Sequence, residues 1–187
     1  MFPVMDDIPK DRHPLVTYVL LGANLATLLA LDTGLVALAG ILLFLWWFGP
    51  SVEDALGRAR FLAFYVAGGL VASGVQVAVD ASSTLPQAAA AGAVAAVMGA
   101  YLRLYPWARV FTLVLWPLFS TFVAIPIVVL LAGWIGLQVA LALADPGSVA
   151  WAGQIAGFAL GLLAAGLLAA HTKTPESLLR RGRAAWQ

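Results

Sequence analysis

Chemistry in this chain has few side chains to work with. Two histidines, His13 and His171, are its only imidazoles, and there is no cysteine. A hydroxyl becomes a useful nucleophile only when a neighbouring base takes its proton, and a zinc site needs several His, Cys or carboxylate ligands at close spacing. Without cysteine there are no disulfides, thiol nucleophiles or thiolate metal sites. Neither histidine stands at metal-ligand spacing from an acidic residue, and His13 reads as a cap at the start of the first apolar stretch. Ser73 is the one serine inside an apolar stretch, has no His or Lys at a recognisable spacing, and reads as a small packing residue bonded to its own helix backbone. The polar groups singled out within the apolar stretches are Asn24, Gln76, Gln138 and Gln154. Each can be satisfied by a hydrogen bond between helices worth ~0.6–2 kcal/mol. No ionisable group lies deep in any stretch, which argues against an ion or solute pathway. No cofactor is expected.

The elements that position these residues are read from composition and charge. Hydrophobic residues make up 63% of the 187 and charged residues 10%, too little polar surface to cover a soluble globule. The net charge of +1 gives no case for a nucleic-acid partner. Apolar stretches of membrane-crossing length, or nearly so, lie at about 14–31, 34–49, 61–79, 86–105, 126–144 and 149–170. They are separated by turn-forming breaks at Asp32 to Gly34, Pro50 to Arg60, Asp80 to Thr84, Pro106 to Arg109 and Asp145 to Ser148. Val110 to Ile125 is apolar enough to be a seventh span. With six spans and the N-terminus inside, however, all ten Lys and Arg residues fall on the cytoplasmic side, and the outer turns hold only Asp32, Asp80 and Asp145. A seventh span would place the four basic residues after position 172 outside, against the positive-inside rule. Residues 110–125 are therefore expected to be a loop or shallow segment at the inner face. No removable signal peptide is read at the N-terminus.

The expectation is one all-α domain over residues 1–171, a bundle of six transmembrane helices, with a basic cytoplasmic tail at 172–187. Lipid-embedded helices gain little from the hydrophobic effect and associate through small residues that allow close approach. Ala91, Ala95 and Gly99 recur every four residues in the fourth stretch, with Gly92, Ala96 and Ala100 on the adjoining stripe. Gly153, Gly157, Gly161 and Ala165 do the same in the sixth, and the two faces are expected to meet. Trp46, Trp47, Trp107, Trp116 and Trp151 are expected mostly as interfacial anchors, while Trp134 lies within the fifth stretch.

These residues carry a resemblance. Val52 to Phe61, followed by Phe64, Tyr65 and Gly69, looks like the segment linking the second and third spans of the rhomboid intramembrane proteases. Gly92-Ala93-Val94 through Gly99-Ala100-Tyr101, then Pro106 and Ala108-Arg109-Val110, is similar to the rhomboid fourth span and its exit. Ile155, Gly157 and Phe158 fit the sixth span, and Ile8, Pro9, Pro14, Thr17 and Asn24 fit the entry to the first. The resemblance implies a six-span fold whose fourth helix begins at a Gly-x-Ser-Gly motif carrying the nucleophile, with a His on the sixth helix as base.

At those places this chain has Ala91 and Gln154. The family's two oxyanion donors on the second span align with Ala37 and Ile41, which cannot donate, and loss of one such donor costs roughly 10²–10³ in rate. The long, partly embedded loop after the family's first span is reduced to Asp32-Thr33-Gly34. That implies a bare flank beside the first two helices. The resemblance thus points to an inactive, rhomboid-like integral protein of a bacterial inner membrane that binds the transmembrane helices of partner proteins, as an accessory subunit or assembly factor. A residual protease with an unforeseen nucleophile, and a trafficking or quality-control factor forming no stable complex, are the alternatives.

Overall fold

The computed structural model describes residues 2–6, 13–30, 35–79, 85–116, 119–144 and 151–169. Among them are six helices: α1 (Leu15–Ala30), α2 (Leu35–Leu56), α3 (Arg58–Val79), α4 (Leu85–Leu104), α5 (Ile127–Ala144) and α6 (Trp151–Ala169). There are also three strands, β1 (Phe2–Asp6), β2 (Arg109–Trp116) and β3 (Phe119–Pro126). In hydrocarbon every backbone N–H and C=O must find a partner inside its own segment, so apolar sequence of this length folds as helix. Among the described residues, Arg58–Val79 and Trp151–Leu168 are long and apolar enough to cross a membrane. The turn at Asp32-Thr33-Gly34, His171 and the tail at 172–187 lie outside the described residues.

The six expected helices are present, and beside them β1, β2 and β3 form an antiparallel sheet in that order. Two expectations are corrected. Residues 110–125 are not a loop but the two long strands of this sheet, in unbroken register from Arg109↔Pro126 to Trp116↔Phe119. β-forming residues pair across the hairpin, with Val110 opposite Ile125, Thr112 opposite Val123, Leu113 opposite Phe122 and Val114 opposite Thr121. β1 joins from the far N-terminus, with Phe2 opposite Leu113 and a bulge between Pro3 and Met5.

The second correction concerns the end of α2. The polar run after Pro50 was expected as a break, yet the helix continues through Pro50 to Leu56. Val52 and Leu56 are buried, and so are Ser51 and Glu53, so this last turn belongs to the core. The reversal is confined to Gly57, at φ +81°, a backbone conformation that costs glycine little.

α4 is the central rod, buried at every position from Gly92 to Tyr101. It packs most extensively on α6 and α3, then on α2; α1 leans chiefly on α2, and α5 lies against α6 and α4. The seam between α4 and α6 is made of bare backbone. A Cβ on Gly157 would collide with the Gly92 carbonyl oxygen, one on Gly161 with the Ala96 carbonyl, and one on Gly99 with the Phe158 carbonyl. These contacts step in the same order along both helices, so the two run parallel. The residues of α4 turned to α6 are Gly92, Ala96, Gly99 and Ala100. The adjoining stripe is half-buried at Ala91 and buried at Ala95.

On its other side α4 meets α3 through Gly68, whose Cβ would stand 2.8 Å from the Ala96 methyl, and through Ala72 against Gly92. Trp47 corrects a smaller expectation: it lies in the core at 8% exposure, whereas Trp46 is 59% exposed and Trp107 80%.

Asn24 on α1 is buried and donates through Nδ2 to the Leu20 carbonyl and to Tyr65 Oη on α3, both at 2.8 Å. A double-mutant cycle of Asn24→Ala and Tyr65→Phe, followed by unfolding in mixed micelles, is expected to give a coupling of ~0.6 kcal/mol. Strict additivity of the two single losses would mean that the bond contributes nothing.

Candidate functional site

Two polar clusters interrupt the apolar bundle, one at each end of the long helices. The first joins α1 to the junction of α2 and α3. The first N–H groups of a helix have no partner within it. At α1 two of them are met by a carboxylate from another helix: Glu53 accepts from Val16 N at 3.0 Å and from Thr17 N at 2.7 Å. Thr17 Oγ1 also donates to Glu53, at 2.7 Å. The site is dry, with Thr17 at 0% and Glu53 at 3% exposure. The negative carboxylate also suits the positive end of the helix dipole. Arg58 Nε stands 3.9 Å from Glu53 Oε1, and its terminal nitrogen donates to the His13 carbonyl at 3.3 Å. Nearby, Tyr105 Oη donates to the Ser51 carbonyl at 3.3 Å. His13 itself is exposed. This cluster ties the start of α1 to the junction of α2 and α3.

The second cluster lies toward the opposite end and holds the two positions that the resemblance ties to catalysis. Gly92 and Gly153 meet across the α4–α6 seam, a Cβ on Gly92 lying 3.2 Å from the Gly153 carbonyl. Ala91 precedes the first of this pair and Gln154 follows the second, so the positions that the resemblance gives to nucleophile and base are neighbours of one close contact. Their side chains are a methyl and a carboxamide. Gln154 accepts a hydrogen bond from Gln138 Nε2 on α5. Gly153 N donates at 3.1 Å to Oε1 of Gln76, a buried residue of α3 that thereby caps the start of α6. Three amides from α3, α5 and α6 thus gather here.

Ile41 is in the core with Leu38 and Leu45, and Ala37 is half-buried one turn before it; neither carries a donor. Among the described residues no three His, Cys, Asp or Glu side chains come together as a metal site. Ser73 is half-buried on α3.

The role of Glu53 does not stand out in the sequence, where it sits in a polar run beside Pro50. The pairing of α5 with α6 was there to be found. Trp134 and Gln138 are one turn apart on α5, Gln154 and Phe158 one turn apart on α6, and read in opposite directions they put aromatic on aromatic and amide on amide. The rings of Trp134 and Phe158 lie 5.9 Å apart.

No protein of curated function and no solved structure matches the chain. The family model described as Rhomboid domain matches residues 22–171, a span holding α2 to α6, both long strands, all three clustered glutamines and most of α1. The chain belongs to the rhomboid family of integral membrane proteins.

Proposed function

We propose that this rhomboid family member binds transmembrane helices of partner membrane proteins without cutting them, as an accessory subunit or assembly factor. One observation carries the reading: where the family's base is expected stands Gln154, an amide engaged by Gln138, beside a methyl at Ala91 in place of the nucleophile. An amide does not take a proton near neutral pH, and a methyl does not attack a carbonyl.

Recognition has a surface to use. Tyr18 of α1 and Trp46 of α2 pair with ring centroids 5.8 Å apart, at 49% and 59% exposure. Leu15, Val19 and Leu43 extend this exposed flank. In the proposed arrangement the six helices cross the inner membrane with both termini in the cytoplasm, on the strength of the placement of Lys and Arg. Binding by the family scaffold is here an argument by analogy.

The test is a pair of measurements on the protein in mild detergent. A photo-crosslinking residue at Leu43 is expected to capture a stoichiometric membrane partner, while one at Leu143 on α5 does not. Ala91→Ser combined with Gln154→His is expected to leave cleavage of a transmembrane substrate and labelling by a fluorophosphonate at background, because Ala37 and Ile41 still supply no oxyanion donor. Cleavage or labelling by the unaltered chain would overturn the reading, and so would a solitary monomer without crosslinks.

A further inference from the structure

We infer that Arg103, at the ends of α4 and α6, forms with its surroundings a site for the phosphate of an anionic phospholipid of the inner leaflet. Arg103 is exposed in the last turn of α4. Its guanidinium lies on Gly166 of α6: a Cβ there would stand 3.2 Å from Nε and 3.3 Å from a terminal nitrogen. The missing side chain of Gly166 is what lets the planar group lie flat against the helix.

Among the described residues no carboxylate pairs with Arg103, in contrast to Arg58, which has Glu53. A guanidinium offers a fork of donors matched to phosphate oxygens. The surroundings have the order that a lipid has. Trp107, 80% exposed and four residues beyond Arg103, supplies an indole of the kind that settles at headgroup level. Toward the bilayer centre from Gly166, Leu163 is 75% exposed one turn back along α6, and exposed Ala159 lies a turn further. Together they offer a strip for an acyl chain. A cation and an aliphatic strip thus follow one another along α6, and the absence of a neighbouring acid among the described residues favours a headgroup of net negative charge.

Native mass spectrometry of the whole protein, exchanged into micelles carrying phosphatidylglycerol or phosphatidylcholine, reads the site directly. Arg103→Gln is expected to lower retention of phosphatidylglycerol about five-fold, the worth of one basic side chain at an anionic surface. Arg103→Lys is expected to keep part of it, and Arg60→Gln, which removes an exposed charge on α3, to keep all of it. Thermal unfolding of each variant separates loss of the site from loss of the fold. Equal retention by Arg103→Gln, an equal loss in Arg60→Gln, equal retention of phosphatidylcholine, or displacement of the lipid by inorganic phosphate would each overturn the assignment.

Discussion

Gly157→Leu is expected to remove the folded monomer from detergent extracts. Even a Cβ at this position would meet the Gly92 carbonyl oxygen, which is main chain and cannot swing aside. Inserting extra carbons into a packed core typically costs about 1–3 kcal/mol when side chains can adjust. Here two helices must separate, so the loss should exceed about 3 kcal/mol, a large share of the stability of an ordinary domain. Gly136→Leu on α5 is the control, because a Cβ there meets nothing within 4 Å. Size-exclusion chromatography and helical circular dichroism of the two variants make the comparison. Equal behaviour would show that the α4–α6 seam does not hold the bundle together.

The second large effect is expected at Glu53. Replacing it by Ala strands two helix N–H groups and the hydroxyl of a fully buried threonine, and leaves Arg58 without its carboxylate. Hydrogen bonds to charged groups contribute about 1.5–3 kcal/mol each, and the sum is not additive within one network. A loss of about 3 kcal/mol is expected, read as a lower midpoint in a denaturing-detergent titration. Thr17→Val removes only the hydroxyl bond and should cost about 1 kcal/mol. If Glu53→Ala unfolds no more readily than Thr17→Val, the carboxylate does not cap α1.

How far the fold was legible varies with the range of the interaction. Apolar length and the rule of internal hydrogen bonding gave each expected stretch its helix, and the four-residue spacing of glycine and alanine marked α4 and α6 as close neighbours. What the spacing left open was rotation. Ala91-Ala95 and Gly92-Ala96 are equally small, and the choice is set by a third helix, since Gly68 and Ala72 of α3 occupy the rest of the surface around Gly92 and Ala96. The same-face repeat Gly68, Ala72, Gln76 on α3 is the sequence mark of that third face.

Pro50 misled for a related reason. Proline ends most helices, but here the next turn buries Val52 and Leu56 and places Glu53 against α1, so tertiary packing outweighs the local preference. The candidate site was legible in part. Ala91 and Gln154 could be named from motif order alone, whereas the engagement of Gln154 by Gln138 depends on how α5 lies against α6.

The sheet carries a consequence for the order in which the molecule can be made. β1 precedes α1 in the sequence, yet its partner β2 follows α4, so this strand must wait while four helices are made. Until then β1 has no β2 to pair with, and afterwards its pairing links the segment before α1 to the hairpin between α4 and α5. Contacts so distant in sequence are slow to close. A chain halted after α4 would therefore hold its helices without this clasp. The sheet becomes a checkpoint in synthesis: pairing of Phe2 with Leu113 reports that the chain from β1 through β2 has been made.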